Sequence, residues 1–173
     1  MSNWYMLTLV GNDVPGIVAK VTQALYENNY NLGETSMLRL GGNFSIMMMV
    51  HGGGSENDIR TCLSSVCEEL NFHLHIDEIE GRLHHHHIPN VMITVSGADR
   101  EGIIALATGK LFEAGFDILN LDSDVAGNDE HPIYIMRIEG IIDGEVSSLE
   151  PVINALKEQG VDVSMHVIDT LVA

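Results

Sequence analysis

The chain has 173 residues, 45% hydrophobic and 19% charged, the balance of a folded protein and too apolar for a disordered one. Eight Lys+Arg against 25 Asp+Glu give a formal net charge of −17, a field that repels phosphate backbones and anionic headgroups and so disfavours direct nucleic-acid or membrane-surface binding. No apolar run reaches the roughly 18 residues of a spanning helix, and the start, Met-Ser-Asn-Trp-Tyr, lacks a basic segment leading into an apolar one. The expectation is a cytoplasmic protein with no membrane partner.

In chain order, residues 4–10 form a β-rich run ending at Gly11. Ile17, Val18, Val21, Ala24 and Leu25 then recur at helical spacing, with Asn28-Asn29 able to supply a left-handed stop. Residues 31–40 and 44–50 read as strands joined through Gly41-Gly42, a pair suited to a primed hairpin turn. Ile59, Leu63, Val66 and Leu70 mark a second helix, which carries both cysteines, Cys62 and Cys67. Their spacing fits neither a Cys-x-x-Cys pair nor a disulfide framework, so they read as reduced core thiols. Residues 72–79 complete a βαββαβ order.

The order then repeats. Residues 6–32 lie over residues 92–118 at a constant shift of 86, matching Gly11, Asp13, Gly16 and Ile17 to Gly97, Asp99, Gly102 and Ile103. Residues 46–52 lie over 134–140 at a shift of 88, which predicts two extra residues at the second hairpin tip. In the second copy, Gly115 closes the first helix, while Ser147-Ser148-Leu149-Glu150 has the pattern of a capping box, with Pro151 in the first turn. The predicted organisation is a first domain over 1–82, a His-rich linker over 83–89 and a second domain over 90–173. Each is an α+β, ferredoxin-like split βαββαβ unit with an antiparallel sheet and both helices on one face. Charge divides unevenly, net −6 over residues 1–82 and net −11 over 83–173.

The loop Gly11-Asn12-Asp13-Val14-Pro15-Gly16-Ile17 is the sharpest local feature. A glycine at a helix start lets a carboxylate approach the outward amides, while Asp13 or Asn12 can face an ammonium group. Capping by Asp13 and close packing at Gly16 account for the same residues without a ligand. The pattern D-x-P-G-I-V-A after a strand, then x-L-x-x-N-x-x-N-L, the Gly-Gly hairpin and an apolar third strand resembles the ACT domain, a regulatory module that senses small molecules. The second copy, with D-R-E-G-I-I-A and L-F-E-A-G-F-D-I, is similar, although Glu101 stands in place of Pro15. The resemblance covers about residues 4–80 and 90–170.

It implies a small amino acid bound where modules meet, through Asn12, Asp13, Pro15, Gly16 and Ile17 and through Ala98, Asp99, Gly102 and Ile103. Asn31, Leu32 and Gly33, with Asp117, Ile118 and Leu119, are implied more weakly. It also implies a non-enzymatic regulator, working through a regulator protein or enzyme of amino-acid metabolism, with transcriptional control of glycine metabolism among its settings. The alternative is a ligand-free assembly module. Unpaired sheet edges point to a homo-oligomer in either case.

Other motifs are absorbed by plainer readings. The histidine run at 84–87 reads as a solvated linker and not a built metal site, since no cysteine lies near it. His73 and His75 share one face of a strand. Gly52-Gly53-Gly54 lacks any following phosphate-cradle pattern and reads as a loop. Met47-Met48-Met49 places side chains on both sheet faces, predicting that both are covered. No nucleophile and base pattern points to catalysis, and no cofactor is expected.

Overall fold

A computed structural model describes residues 3–81, 87–98, 102–128 and 131–168. The chain forms two compact units, Met1–His84 and His85–Ala173. In the first, β1 (Asn3–Asn12), α1 (Ile17–Glu27), β2 (Asn31–Leu40), β3 (Asn43–Gly52), α2 (Glu56–Leu70) and β4 (His73–Ile79) follow in sequence. They build an antiparallel sheet of order β2-β3-β1-β4.

Alternation along β1 sends Tyr5, Leu7 and Leu9 to the helix side, where they meet Ile46, Met48 and Val50 of β3 and Ile17, Val21, Leu25, Ile59 and Leu63 of the helices. Each fully buried aliphatic side chain there is worth about 1.5–3 kcal/mol. Turn chemistry fixes the register: Gly41 and Gly42 have φ of +57° and +77°, the positive pair that a primed hairpin turn requires. Asn29 (φ +60°) and Asn71 (φ +51°) take left-handed conformations after α1 and α2.

The second unit repeats the plan with β5 (Val91–Ala98), α3 (Ile103–Glu113), β6 (Phe116–Asn128), β7 (His131–Ile142), α4 (Glu150–Lys157) and β8 (Asp162–Val167), in sheet order β6-β7-β5-β8. Its core is its own, centred on Val91, Ile93, Val95, Leu111, Met136, Ile138 and Leu156.

Three sequence expectations are corrected. Leu7 pairs with Met48, and its counterpart Ile93 pairs with Ile138. The true shift between the third strands is therefore 90, and the second hairpin is longer by four residues, not two. A slip of two preserves which face each side chain occupies, so the overlay of apolar residues concealed the error.

Residues 147–150 do not form a capping box. Val146–Leu149 is a 3-10 turn leading into α4, whose start has no side-chain cap, and Ser147 Oγ donates to Glu145 Oε2 at 3.1 Å. The box that does form was missed. At the start of α2, Ser55 N–H donates to Asp58 Oδ2 at 2.7 Å and Asp58 N–H to Ser55 Oγ at 3.4 Å. Asp serves here in the third position where Glu or Gln is the usual signal.

Finally, the methionine run does not lie between two covered faces. Met48 is fully buried against the helices, whereas Met47, on the opposite face, is 48% exposed.

Candidate functional site

β1 ends at Asn12, paired with Asn43 beside the hairpin tip. Asp13 N–H donates to Gly42 O at 3.1 Å, which ties the loop to that tip. The Asp13 carboxylate forms an ion pair with Arg39, Oδ2 lying 3.2 Å from Nε, on the helix side of β2, a contact that sequence reasoning missed. Arg39 is the one basic residue of β2, and only the pairing of β2 with β3 shows that it lies beside the loop.

Gly16 is the residue before α1, with φ +88°, and no side chain caps the helix. Capping by Asp13 is thereby ruled out. Close packing is ruled out for Gly16 as well, because a Cβ built there meets nothing within 4 Å. The left-handed backbone is what favours glycine here, and the space in front of it is open. In the first turn, the amides of residues 17–19 have no intrahelical acceptor, as at any helix start; the first ladder bond runs from Lys20 N–H to Gly16 O at 3.0 Å.

Gly11 plays the packing role instead. A Cβ there would come within 2.1 Å of Phe72 Cδ1. Pro15 and Gly16 are exposed, but the Ile17 side chain is buried at 3% exposure, so Ile17 can offer a ligand only its backbone. Beside the hairpin tip, Val10, Leu38, Leu40, Asn43, Phe44 and Ser45 line a mostly apolar recess of about 300 Å³.

The candidates on β2 lie elsewhere. Asn31 pairs with His51, which pairs with Trp4, while Asn12 pairs with Asn43 at the far end of β1. Eight residues at ~3.3 Å each separate the two groups by about 26 Å within the unit. Leu32 is 41% exposed. Gly33 sits in a β-bulge between Leu32 and Thr35, where a Cβ would approach Trp4 to 2.9 Å, so its visible role is to seat the indole.

In the second unit, Ala98 ends β5 and Gly102, with φ +81°, precedes an α3 start with no side-chain cap among the described residues. Ile103 is buried at 8% exposure. Asp99 lies outside the described residues. Asp117, Ile118 and Leu119 lie at the far end of the sheet, Ile118 opposite Gly140, with a bulge between Ile118 and Asn120. Tyr134, opposite Gly97 where Phe44 stands opposite Gly11, has a buried hydroxyl with no hydrogen-bond partner among the described residues. Sequence overlay at the shift of 88 matched Tyr134 to the wrong residue and hid that substitution.

Away from the loops, Lys20 pairs with Glu69 across a groove of about 660 Å³ between α1 and α2. Cys62 Sγ donates to Ala24 O there at 3.2 Å. Burial pushes the thiols of Cys62 and Cys67 above the usual cysteine range. Histidines 84–86 lie outside the described residues, and His87 is exposed. Among the described residues there is no group of three or more His, Cys, Asp or Glu side chains arranged to hold a metal ion, and no helix long and apolar enough to cross a membrane.

A pair of βαββαβ units, each with a left-handed glycine ahead of its first helix beside the end of its first strand, defines a tandem α+β, ferredoxin-like fold. Residues 5–77 match the family model described as the ACT domain. The UPF0237 protein lin0537 of Listeria innocua is 34% identical over 84 residues, covering 46% of this chain and 94% of that protein. The chain belongs to the ACT-domain family.

Crystal structures extend the likeness of fold to both halves. An unknown protein from Galdieria sulphuraria is 20% identical, with a TM-score of 0.74 over 98% of this chain and 100% of that one. A protein assigned as a glycine cleavage system transcriptional repressor is 18% identical, with a TM-score of 0.72 over 98% and 99% of the two chains.

Proposed function

We propose that this protein is a non-enzymatic regulator that binds a small amino acid at the loop before α1 and acts through contacts with another protein. The observation that carries the proposal is the start of α1, which is left-handed at Gly16, uncapped by any side chain and open where a Cβ would stand. Backbone amides at such a helix end attract a carboxylate. In this reading Asp13 receives the ammonium end of the same molecule, and its ion pair with Arg39 holds the carboxylate in position until then. The uncapped start at Gly102 supports a related role in the second unit.

A ligand of this kind shifts a conformational or assembly equilibrium by its difference in affinity between two states. A sensor of metabolite levels would work at a dissociation constant of roughly micromolar to millimolar, about −8 to −4 kcal/mol. The partner we propose is a regulator or enzyme of amino-acid metabolism. The likeness to a protein assigned as a glycine cleavage system transcriptional repressor supports transcriptional control of glycine metabolism as the setting. A net charge of −17 argues that such control runs through a protein and not through direct contact with DNA.

The test is calorimetric titration of the full chain with glycine, serine and the other proteinogenic amino acids. Binding by one or a few of them, weakened at least tenfold in Gly16→Asn, is expected. Asn tolerates the left-handed backbone but fills the open approach. Silence across the panel refutes sensing and leaves the assembly reading, which the edge strand β2, with every residue in it exposed, favours.

A further inference from the structure

On the sheet face turned away from the helices, the first unit gathers an unusual set of donors. Met6 on β1 stands directly opposite Met49 on β3, and Met47 is the next residue along β3 on that face, opposite Thr8. Opposed residues have Cβ atoms about 4.5–5.5 Å apart, and residues two apart on a strand lie ~6.6 Å apart, so three flexible thioethers can converge on one point. His51 follows Met49 on the same face. Its ring lies against Trp4, with centroids 4.7 Å apart and planes tilted by 32°. The indole is in turn held by close approach to Gly33 and Gly81, where a Cβ would come within 2.9 Å and 2.0 Å of it. Across from Met6 on β4, Asp77, whose Oδ2 lies 3.1 Å from His75 Nε2, adds negative charge beside the sulfurs.

Packing does not account for these methionines. Met47 is 48% exposed, and Met6 and Met49 are only partly buried, while the core is served by Met48. The second unit supplies an internal comparison. Thr94 pairs with Arg137 and Met92 with Glu139, so at the positions of Met47 and Met49 the same fold carries an arginine and a glutamate. The sheet therefore does not require thioethers there. Thioether donors select soft cations, Cu(I) above all, over the hard ions that prefer carboxylate and carbonyl sets, and imidazole also serves copper.

We infer that the open face of the first sheet is a binding site for a soft monovalent cation of the Cu(I) class, with Met6, Met47 and Met49 as ligands and His51 beside them. The site is independent of the amino-acid loop, from which the registers separate it along β1.

Ag(I), a redox-inert probe of that class, tests the inference. The full chain is used with the histidines at 84–87 replaced by Ser, so that the run cannot compete. One equivalent is expected to shift the ε-methyl NMR signals of Met6, Met47 and Met49 and to quench the fluorescence of Trp4, the only tryptophan. The volume-conserving double variant Met47→Leu/Met49→Leu should keep the rest of the spectrum and bind at least tenfold more weakly. The inference is overturned if those three methyls do not respond, if the double variant loses less than tenfold in affinity, or if only amides around Cys62 and Cys67 shift.

Discussion

Two glycines five positions apart, Gly11 and Gly16, bracket the loop before α1, and they resist substitution for different reasons. At Gly16 a Cβ has free space but the backbone sits at φ +88°. Gly16→Ala therefore costs about 1–2 kcal/mol through the left-handed conformation alone. Asn adopts that conformation more readily, so Gly16→Asn should recover most of the loss. At Gly11 the problem is steric. The added Cβ would stand 2.1 Å from Phe72 Cδ1 and 3.1 Å from Asn71 O, and overpacking of that kind costs roughly 1–3 kcal/mol.

Gly11→Asn, bulkier again, should be worse than Gly11→Ala, the reverse of the order at Gly16. Urea unfolding followed by Trp4 fluorescence reads the first unit selectively, because the chain has no other tryptophan. At a denaturant slope of ~1.5 kcal/mol per molar, Gly16→Ala should lower the midpoint by about 1 M. If Gly16→Asn falls as far as Gly16→Ala, or if both substitutions at Gly11 are silent, the assignment of backbone conformation to one glycine and packing to the other is wrong.

Further outcomes follow from neighbouring features. Met48→Ala should destabilise the first unit by about 2–5 kcal/mol and Met47→Ala by less than ~0.5, since the first leaves a cavity and the second faces solvent; thermal melts of the two variants check this. Ser55→Ala should cost about 1 kcal/mol through loss of the helix cap, whereas Ser147→Ala, which breaks no cap, should be near neutral in the same denaturation assay.

Hydrogen bonds from Ser55 hold the Asp58 carboxyl below its usual range. Their stabilisation is thus present above the ordinary Asp pKa and lost as pH falls through the lowered value, so Ser55→Ala, which removes the hydroxyl donor but keeps the larger backbone one, should flatten that part of an acid titration of stability only in part. For Cys62 and Cys67 the sign is opposite. Burial raises both thiols, the native chain retains protons that the unfolded chain has released, and stability should decline as pH rises past the ordinary thiol value. Alkylation by iodoacetamide at pH 8 should correspondingly be slower in the native chain than in urea.

Local patterning alone determined the duplicated βαββαβ plan, because hydrophobic period, Gly-Gly and Asn stops act over a few residues and need no distant partner. Tyr5, Leu7 and Leu9 alternate and Ile17, Val21 and Leu25 recur at helical spacing whatever surrounds them. A glycine at the start of α1 was legible for the same reason, but the sequence offered only ligand access or close packing for it, and its left-handed backbone came from the structure.

Strand pairing decided the rest, since it brings together residues remote in the chain. Arg39 reached Asp13, the candidates on β2 moved to the opposite end of the sheet from the loop, Tyr134 replaced Phe44 as a buried hydroxyl, and Met47 was left facing outward. A two-residue slip in the third strand was invisible beforehand, because alternation repeats every two residues; only the cross-strand hydrogen bonds, which pair each residue with one partner, could resolve it.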